Sequence, residues 1–134
     1  MSNLPRPIVR TLIACEEIRP DVTNPKRVSL LRVISTLRSD GTDRYPVLRQ
    51  KFSVFALLTN GRGSGTIRVE IRRDAVETPM YRGPERVVRF PSDPLTINGA
   101  SFGIDYLVFP EPGLYWVELW YDNEILAELP IMLK

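Results

Sequence analysis

Histidine is absent from this chain of 134 residues, and Cys15 is its only cysteine. A single cysteine cannot form an intramolecular disulfide, which excludes a secreted scaffold held together by disulfides. Without histidine, zinc or copper would have to be bound almost wholly by carboxylates, which suit neither ion. A serine or cysteine nucleophile would lack its usual base. We therefore predict no catalytic residue, no metal site and no cofactor, and we expect Cys15 to be a buried, inert thiol.

Long apolar runs and basic runs are also missing. No stretch approaches the roughly 20 apolar residues of a membrane-spanning helix, and residues 1–7 lack the order of a signal peptide. The net charge is +2, lysine occurs only at Lys26, Lys51 and Lys134, and the remaining basic residues are scattered arginines. This pattern favours ion pairs on sheet faces over a nucleic-acid site. We expect a cytoplasmic protein that binds neither nucleic acid nor membrane.

Two loop sequences superficially resemble ligand sites. Residues 40–43, Asp-Gly-Thr-Asp, lack the ligand density and closing glutamate of a calcium loop. Residues 61–65 are rich in glycine, but an alternating strand follows them, whereas a phosphate loop leads into a helix. We interpret the first stretch as a turn. We interpret the second as the tip of a β-hairpin that joins residues 51–59 to residues 66–72.

An alternation of period two dominates the rest of the chain. Ile67, Val69 and Ile71 share one strand face, and the charged residues between them share the other. The 12 prolines lie mostly between apolar runs, as expected for short strands joined by corners. Residues 26–35 also fit a helical spacing, but their β-branched content favours a strand. Candidate strands cover residues 8–17, 27–37, 51–59, 66–72, 85–90 and 102–109 and two closing segments.

These patterns predict a single all-β domain over residues 1–134. The strand lengths and turn spacing are typical of an antiparallel sandwich with about seven to nine strands.

The closing segments contain both tryptophans. Trp116 and Trp120 lie two pleats apart on one strand and therefore share a face. If Asp122 and Asn123 form a two-residue turn, Trp120 lies opposite Ile125 and both indoles can enter the core.

A longer loop reverses this result. If residues 122–124 form the loop, Tyr121 pairs with Ile125, and the tryptophans move with Glu118 to the opposite face. Two exposed tryptophans would present on the order of 300 to 500 Å² of aromatic surface, which is usually functional. Alternatively, neighbouring loops or the flanks of the last strand cover both indoles, since tryptophan is mostly buried in proteins.

The sequence also resembles a known family. Residues 53–59 (Ser-Val-Phe-Ala-Leu-Leu-Thr), the glycine loop, residues 67–71 (Ile-Arg-Val-Glu-Ile) and residues 112–119 (Pro-Gly-Leu-Tyr-Trp-Val-Glu-Leu) look like a family of small bacterial proteins of unknown function. Members of that family resemble immunoglobulin-like β-sandwiches. The similarity runs from Val9 onward and rests on turns and core alternation. It implies an immunoglobulin-like fold and a bacterial origin, and it implies no catalytic residues.

The leading functional hypothesis is a non-catalytic module that binds a protein partner or associates with itself. One candidate surface is the face of Trp116, Glu118 and Trp120. The other is a sheet edge near Pro130, because the missing N–H of proline suits an edge strand.

Two alternatives remain open at the level of sequence. The same tryptophans could stack against a carbohydrate or another small ligand. A carboxylate-based enzyme would use Asp105, which lies among apolar residues, or Glu16. The adjacent Glu16 and Glu17 would point to opposite faces of a strand and could not act as a pair.

Overall fold

The computed structural model describes residues 6–24, 27–37, 46–49 and 51–134. Twelve strands run through these residues. They are β1 (Ile8–Pro20), β2 (Val28–Ile34), β3 (Thr36–Leu37), β4 (Val47–Arg49), β5 (Phe52–Thr59), β6 (Ser64–Arg73), β7 (Tyr81–Arg82), β8 (Arg86–Arg89), β9 (Asn98–Ile104), β10 (Leu107–Phe109), β11 (Gly113–Tyr121) and β12 (Glu124–Leu133). This number exceeds the expected seven to nine strands, because five of the twelve contain four residues or fewer.

The strands form two packed sheets. The smaller sheet has the order β2-β1-β5-β9, and the larger has the order β3-β12-β11-β6, with β7 and β8 both beside β6. A separate pair joins β10 to β4. All strand pairs are antiparallel except β12 with β3. The predicted all-β, two-sheet architecture is confirmed.

The core lies between the inner faces of the two sheets. Its buried side chains follow the predicted alternation, and they include Ile67, Val69 and Ile71 of β6, Val54, Ala56 and Leu58 of β5, and Tyr115, Val117 and Leu119 of β11. Alternation therefore identified the inner face of the larger sheet correctly, because successive side chains of a strand point to opposite sides.

The glycine loop does not close a hairpin, so that prediction is wrong. β5 belongs to the smaller sheet and β6 to the larger one, and the loop carries the chain from one to the other. The glycines at 61 and 65 serve packing: a Cβ at Gly61 would overlap the ring of Phe90, and one at Gly65 would overlap Tyr121. The two rings lie 6.2 Å apart and close this end of the core.

Two further segments expected as single strands also change sheets. The chain passes from β2 to β3 at Ser35, whose carbonyl accepts a hydrogen bond from the Met132 N–H at 3.1 Å. Asp105 and Tyr106 form the bend between β9 and β10. Tyr106 has φ of 60°, a left-handed conformation that interrupts a strand.

Cys15 is fully buried, as predicted. Its thiol approaches the Glu17 carbonyl at 3.5 Å, and burial raises the pKa of the thiol. We expect Cys15 to stay protonated and unreactive toward an aromatic disulfide reagent near neutral pH. It should react fully once the chain is unfolded in guanidinium. Rapid labelling of the native protein would contradict this prediction.

Candidate functional site

The closing hairpin combines the two registers considered from the sequence. Asp122 and Asn123 form a two-residue turn with φ of 47° and 71°, and Trp120 lies opposite Ile125. The register then shifts between Leu119 and Trp120 because β12 contains one extra residue. Between Leu119 and the start of β11, the strands pair as expected for a three-residue loop. Turn length alone therefore does not fix this register, because a β-bulge adds the missing residue.

The bulge places the tryptophans outside the core. Tyr115, Val117 and Leu119 face inward, while Trp116 and Trp120 lie half-buried on the outer face of the larger sheet. The structure thus brings together Trp116, Glu118 and Trp120 on one outward face. Neighbouring residues cover part of each indole. The tryptophans therefore lie on the outer face, as expected for the longer loop, but they are only partly exposed.

Three rows of side chains cross this outer face. The middle row consists of glutamates, with Glu70, Glu118 and Glu128 directly opposite one another on β6, β11 and β12. An arginine and a tryptophan flank it on each side: Arg72 pairs with Trp116, and Arg68 pairs with Trp120. Like charges directly opposite each other destabilise a sheet, so the flanking arginines are required to neutralise the row.

The distances show this neutralisation. Arg68 Nε lies 2.6 Å from Glu70 Oε2, and Arg72 Nε lies 2.8 Å from Glu118 Oε2. The Trp120 indole N–H donates to Glu118 Oε1 at 3.3 Å. The Arg68 guanidinium also lies 4.6 Å from the centre of the Trp120 ring, a cation–π contact. Hydrogen bonding to Glu118 raises the pKa of Arg72, so the guanidinium stays charged.

Burial of this network is the feature that the sequence did not predict. Alternation placed Arg68 and Glu70 on a solvated face, but each residue is only 5% exposed, and Glu118 is 3% exposed. That expectation was wrong because the Trp120 ring lies against Arg68, and the side chains of Glu85 and Arg82 approach Arg68 and Glu70 from the other side. Alternation shows which residues share a face within β6 and within β11. It does not show that these two strands are neighbours in one sheet.

Residues 74–80, between β6 and β7, lie beside the tryptophan face. Asp74 donates its backbone N–H to the Leu114 carbonyl at 2.9 Å, and its carboxylate accepts the Trp116 indole N–H at 2.9 Å. At the other end, the Met80 N–H donates to the Ile71 carbonyl at 2.7 Å. The segment is therefore anchored at both ends beside the tryptophan face.

A cleft of about 400 Å³ separates this segment from the closing hairpin. Its lining residues are Glu70, Arg72, Ala75, Val76, Glu77, Glu118, Trp120, Ile125 and Glu128. Val76 and Ile125 are exposed apolar side chains at its opening, and Glu77 and Glu128 are exposed carboxylates there. The cleft therefore combines apolar walls, a paired polar floor and an acidic rim.

The carboxylates proposed for an enzyme lie elsewhere. Asp105 is exposed in the bend after β9, and its charge adds to burial in raising the pKa of Tyr81. Glu16 lies 3.1 Å from Arg32. Glu17 accepts a hydrogen bond from Arg19, which lowers the pKa of Glu17. The structure therefore brings neither Asp105 nor Glu16 to the tryptophan face.

Pro130 lies at a sheet edge, as predicted. β12 pairs with β11 along its length, but among the described residues its other side pairs with β3 only at Met132 and Leu133. The Met132 N–H points to that side, so every second residue before it, Pro130 and Glu128, also directs its backbone there. A proline and a carboxylate at such positions discourage pairing with another strand.

The described residues contain neither a cluster of metal-binding side chains nor a membrane-spanning helix. Within the described ranges, no three histidine, cysteine, aspartate or glutamate side chains are grouped to hold a metal. The calcium possibility at residues 40–43 lies outside the described residues. The part of the chain that the structure describes contains no helix with the length and apolar character of a membrane span.

The comparison with known proteins identifies the family. No curated protein matches the chain. A family model described as a family of unknown function, DUF6941, matches residues 10–134. The resemblance from Val9 onward to a family of unknown function is confirmed at this level. Because the match covers nearly the whole chain, the protein belongs to DUF6941.

Proposed function

We propose that this protein is a non-catalytic binding module that holds a segment of a partner protein in the cleft beside Trp120. The observation that carries the proposal is the cleft itself: about 400 Å³ between residues 74–80 and the closing hairpin. Its size is in the range of clefts that bind ligands. Trp120 forms part of its wall, and tryptophan is enriched among residues that dominate binding energy at protein interfaces.

The floor of the cleft supports binding without rearrangement. Glu118 is held by both Arg72 and the Trp120 indole, and Arg68 holds Trp120 from one ring face. Side chains fixed in this way lose little further freedom when a partner binds. Association costs less free energy at such a surface than at a flexible one.

The lining of the cleft indicates the chemistry of the partner. Val76, Trp120 and Ile125 supply apolar contact area, while Glu77 and Glu128 stand at the rim. A lysine or arginine side chain fits this combination, because its aliphatic stem packs on apolar surface and its charged end reaches the carboxylates. We therefore expect the bound segment to carry a basic residue beside an apolar one.

Random-peptide display tests the proposal, with selection on the wild-type protein and counter-selection on Ile125→Lys. The substitution places a positive charge at the mouth of the cleft, so selected peptides should bind it at least about tenfold more weakly. The matched control is Val22→Lys, because Val22 is fully exposed and does not line the cleft. Peptides that bind wild type and Ile125→Lys equally, or a failure to enrich any peptide, would contradict the proposal.

The carbohydrate alternative uses the same residues and needs an open indole face. Arg68 occupies one face of Trp120, and the Trp116 indole N–H is bonded to Asp74. The guanidinium reduces the Trp120 face left for a sugar ring, which favours a protein partner, and the bond to Asp74 fixes the orientation of the Trp116 ring. Binding on a glycan array that Ile125→Lys abolishes and Val22→Lys preserves would replace the protein partner with a carbohydrate.

We also propose that the sandwich is immunoglobulin-like. Support comes from Tyr115, whose hydroxyl donates to the Glu111 carbonyl at 2.6 Å, four residues upstream, beside the Pro112–Gly113 corner. A tyrosine bonded to the backbone a few residues upstream is a recurrent feature of the corner between sheets in immunoglobulin-like domains. An experimental structure with a strand order unrelated to that fold would overturn this assignment.

A further inference from the structure

Arg86 occupies an inward-facing position of the larger sheet. It lies opposite Ile67, a buried core residue of β6, and directly opposed residues of paired strands share a face. The next two inward positions along the chain are Val88 and Phe90, which both pack against the core. An apolar residue is expected at the first position of such a series. The arginine in its place therefore requires an explanation of its own.

The Arg86 guanidinium reaches the edge of the smaller sheet. It lies 4.1 Å from the centre of the Phe102 ring and donates to the Ser101 carbonyl. Burial lowers the pKa of Arg86, although a guanidinium stays charged near neutral pH. Arg68 and Arg72 on the outer face each contact a glutamate. Among the described residues, no carboxylate forms an ion pair with Arg86.

A hollow of about 140 Å³ lies beside this guanidinium, between β9 of the smaller sheet and the β7 and β8 side of the larger sheet. Val69 and Phe102, both core residues, form part of its lining, so the hollow reaches the apolar interior. A cavity of about 150 Å³ with apolar walls holds one benzene molecule. The hollow therefore has room for a single ring.

Two hydrogen-bond donors belong to the lining of the hollow. Arg86 donates to Ser101 through Nη2 and has further N–H groups to offer. The Tyr81 hydroxyl also lines the hollow and makes no hydrogen bond to another described residue. Apolar walls with a few polar groups are the usual composition of a small-molecule site.

We propose that this hollow binds a small aromatic carboxylate, with the ring inside the hollow and the carboxylate on Arg86. The carboxylate supplies the anion that glutamates supply to Arg68 and Arg72. Hydrogen bonds between a guanidinium and a carboxylate are among the strongest in proteins. The volume limits the apolar part of the ligand to one ring.

One nearby charge opposes an anionic ligand. Asp105 is exposed in the bend after β9, and its charge adds to burial in raising the pKa of Tyr81. Water and salt screen the charge of an exposed carboxylate. The ligand would contact Arg86 directly, at hydrogen-bond distance. Attraction to the guanidinium therefore outweighs repulsion from Asp105.

A ligand series on the wild-type protein tests the proposal without any substitution. Amide signals in NMR spectra are followed during titration with benzoate, with neutral benzamide and with cationic benzylamine. Benzoate should shift the signals of Gly83, Phe102 and Gly103 and bind at least about tenfold more tightly than benzamide, because its hydrogen bonds to Arg86 are charge-assisted. Benzylamine should bind more weakly than benzamide. Equal binding of benzoate and benzamide, or no shift at these residues with benzoate, would overturn the proposal.

Arg86→Met tests the role of the guanidinium and separates it from a purely structural one. An inward-pointing charge on an edge strand also discourages pairing with other strands, and that role involves no ligand. We expect Arg86→Met to weaken benzoate binding by at least about tenfold and to leave benzamide binding unchanged. Benzoate binding that survives Arg86→Met unchanged would leave the arginine with the structural role alone and refute the proposal.

The matched control is Arg89→Met, because Arg89 is an exposed arginine on the same strand that does not line the hollow. It should bind benzoate as the wild-type protein does. Ile125→Lys, which blocks the cleft beside Trp120, should also leave benzoate binding unchanged. The hollow and the cleft share no lining residue, so this proposal and the cleft proposal fail independently.

Discussion

Replacing Arg68 with methionine should lower the free energy of unfolding by about 3 to 5 kcal/mol, the usual cost of removing one partner from a buried ion pair. Arg68 is the cation closest to Glu70, and both side chains are almost fully buried. A second cation, Arg82, also approaches Glu70, with its Nε 3.7 Å away. A methionine fills the space of the arginine stem but cannot compensate the carboxylate.

The loss should come from the orphaned carboxylate more than from the lost attraction. Taking a charge out of water costs several kcal/mol, and a good ion pair roughly offsets that cost. Without Arg68, Glu70 retains the cost and faces Glu118 directly across the strand pair. The Trp120 ring also loses the guanidinium that lies 4.6 Å from its centre. All these effects act in the same direction.

The double variant Arg68→Met/Glu70→Met separates these contributions. Removing both charges removes the orphan, so we expect urea unfolding to return to within about 1 kcal/mol of wild type, or above it. Arg82→Met is the control: Arg82 contacts the same carboxylate but its side chain is 60% exposed, and such pairs contribute about 0 to 1 kcal/mol. Equal unfolding midpoints for Arg68→Met and Arg82→Met would show that burial does not set the cost.

Local pattern predicted much of this fold and part of the site. The alternation at Ile67, Val69 and Ile71 gave the inner face of β6, since period two is a property of the strand itself. It also placed Trp116, Glu118 and Trp120 on a common face. Pro130 indicated an edge, because a missing N–H can be inferred from the residue alone.

The remaining features depend on which segments become neighbours. The bulge near Leu126 shifts the hairpin register although the turn has two residues, the shorter of the two loops considered from the sequence. The buried Glu70 lies between Arg68 of its own strand and Arg82 of β7, which pairs beside it. The glycine loop was misassigned because strands that are adjacent in sequence usually pair, and here they pack in different sheets. None of these three features can be predicted from the alternation of apolar and polar residues within one strand.

Gly61→Ala should be strongly destabilising. The added Cβ would overlap Cγ and Cδ1 of Phe90, so rotation of the ring about its own axis cannot remove the clash. Phe90 is buried and contacts Tyr121, and the ring therefore has to leave its site or the loop has to move. Overpacking alone costs about 1 to 3 kcal/mol, and partial loss of a buried phenylalanine raises the total toward 3 to 5 kcal/mol.

A double-mutant cycle with Phe90→Ala checks this cause by urea unfolding. Phe90→Ala alone is destabilising, but it removes the ring that the new methyl group would meet. The φ of Gly61 lies outside the left-handed region, so alanine is compatible with the backbone. In the Phe90→Ala background, Gly61→Ala should therefore be neutral or stabilise by up to about 1 kcal/mol, because alanine reduces the entropy of the unfolded chain. Gly103→Ala, where a Cβ meets open space, should change stability by no more than about 0.5 kcal/mol. If Gly61→Ala cost the same with and without the Phe90 ring, the glycine would be required for a reason other than the close approach of that ring.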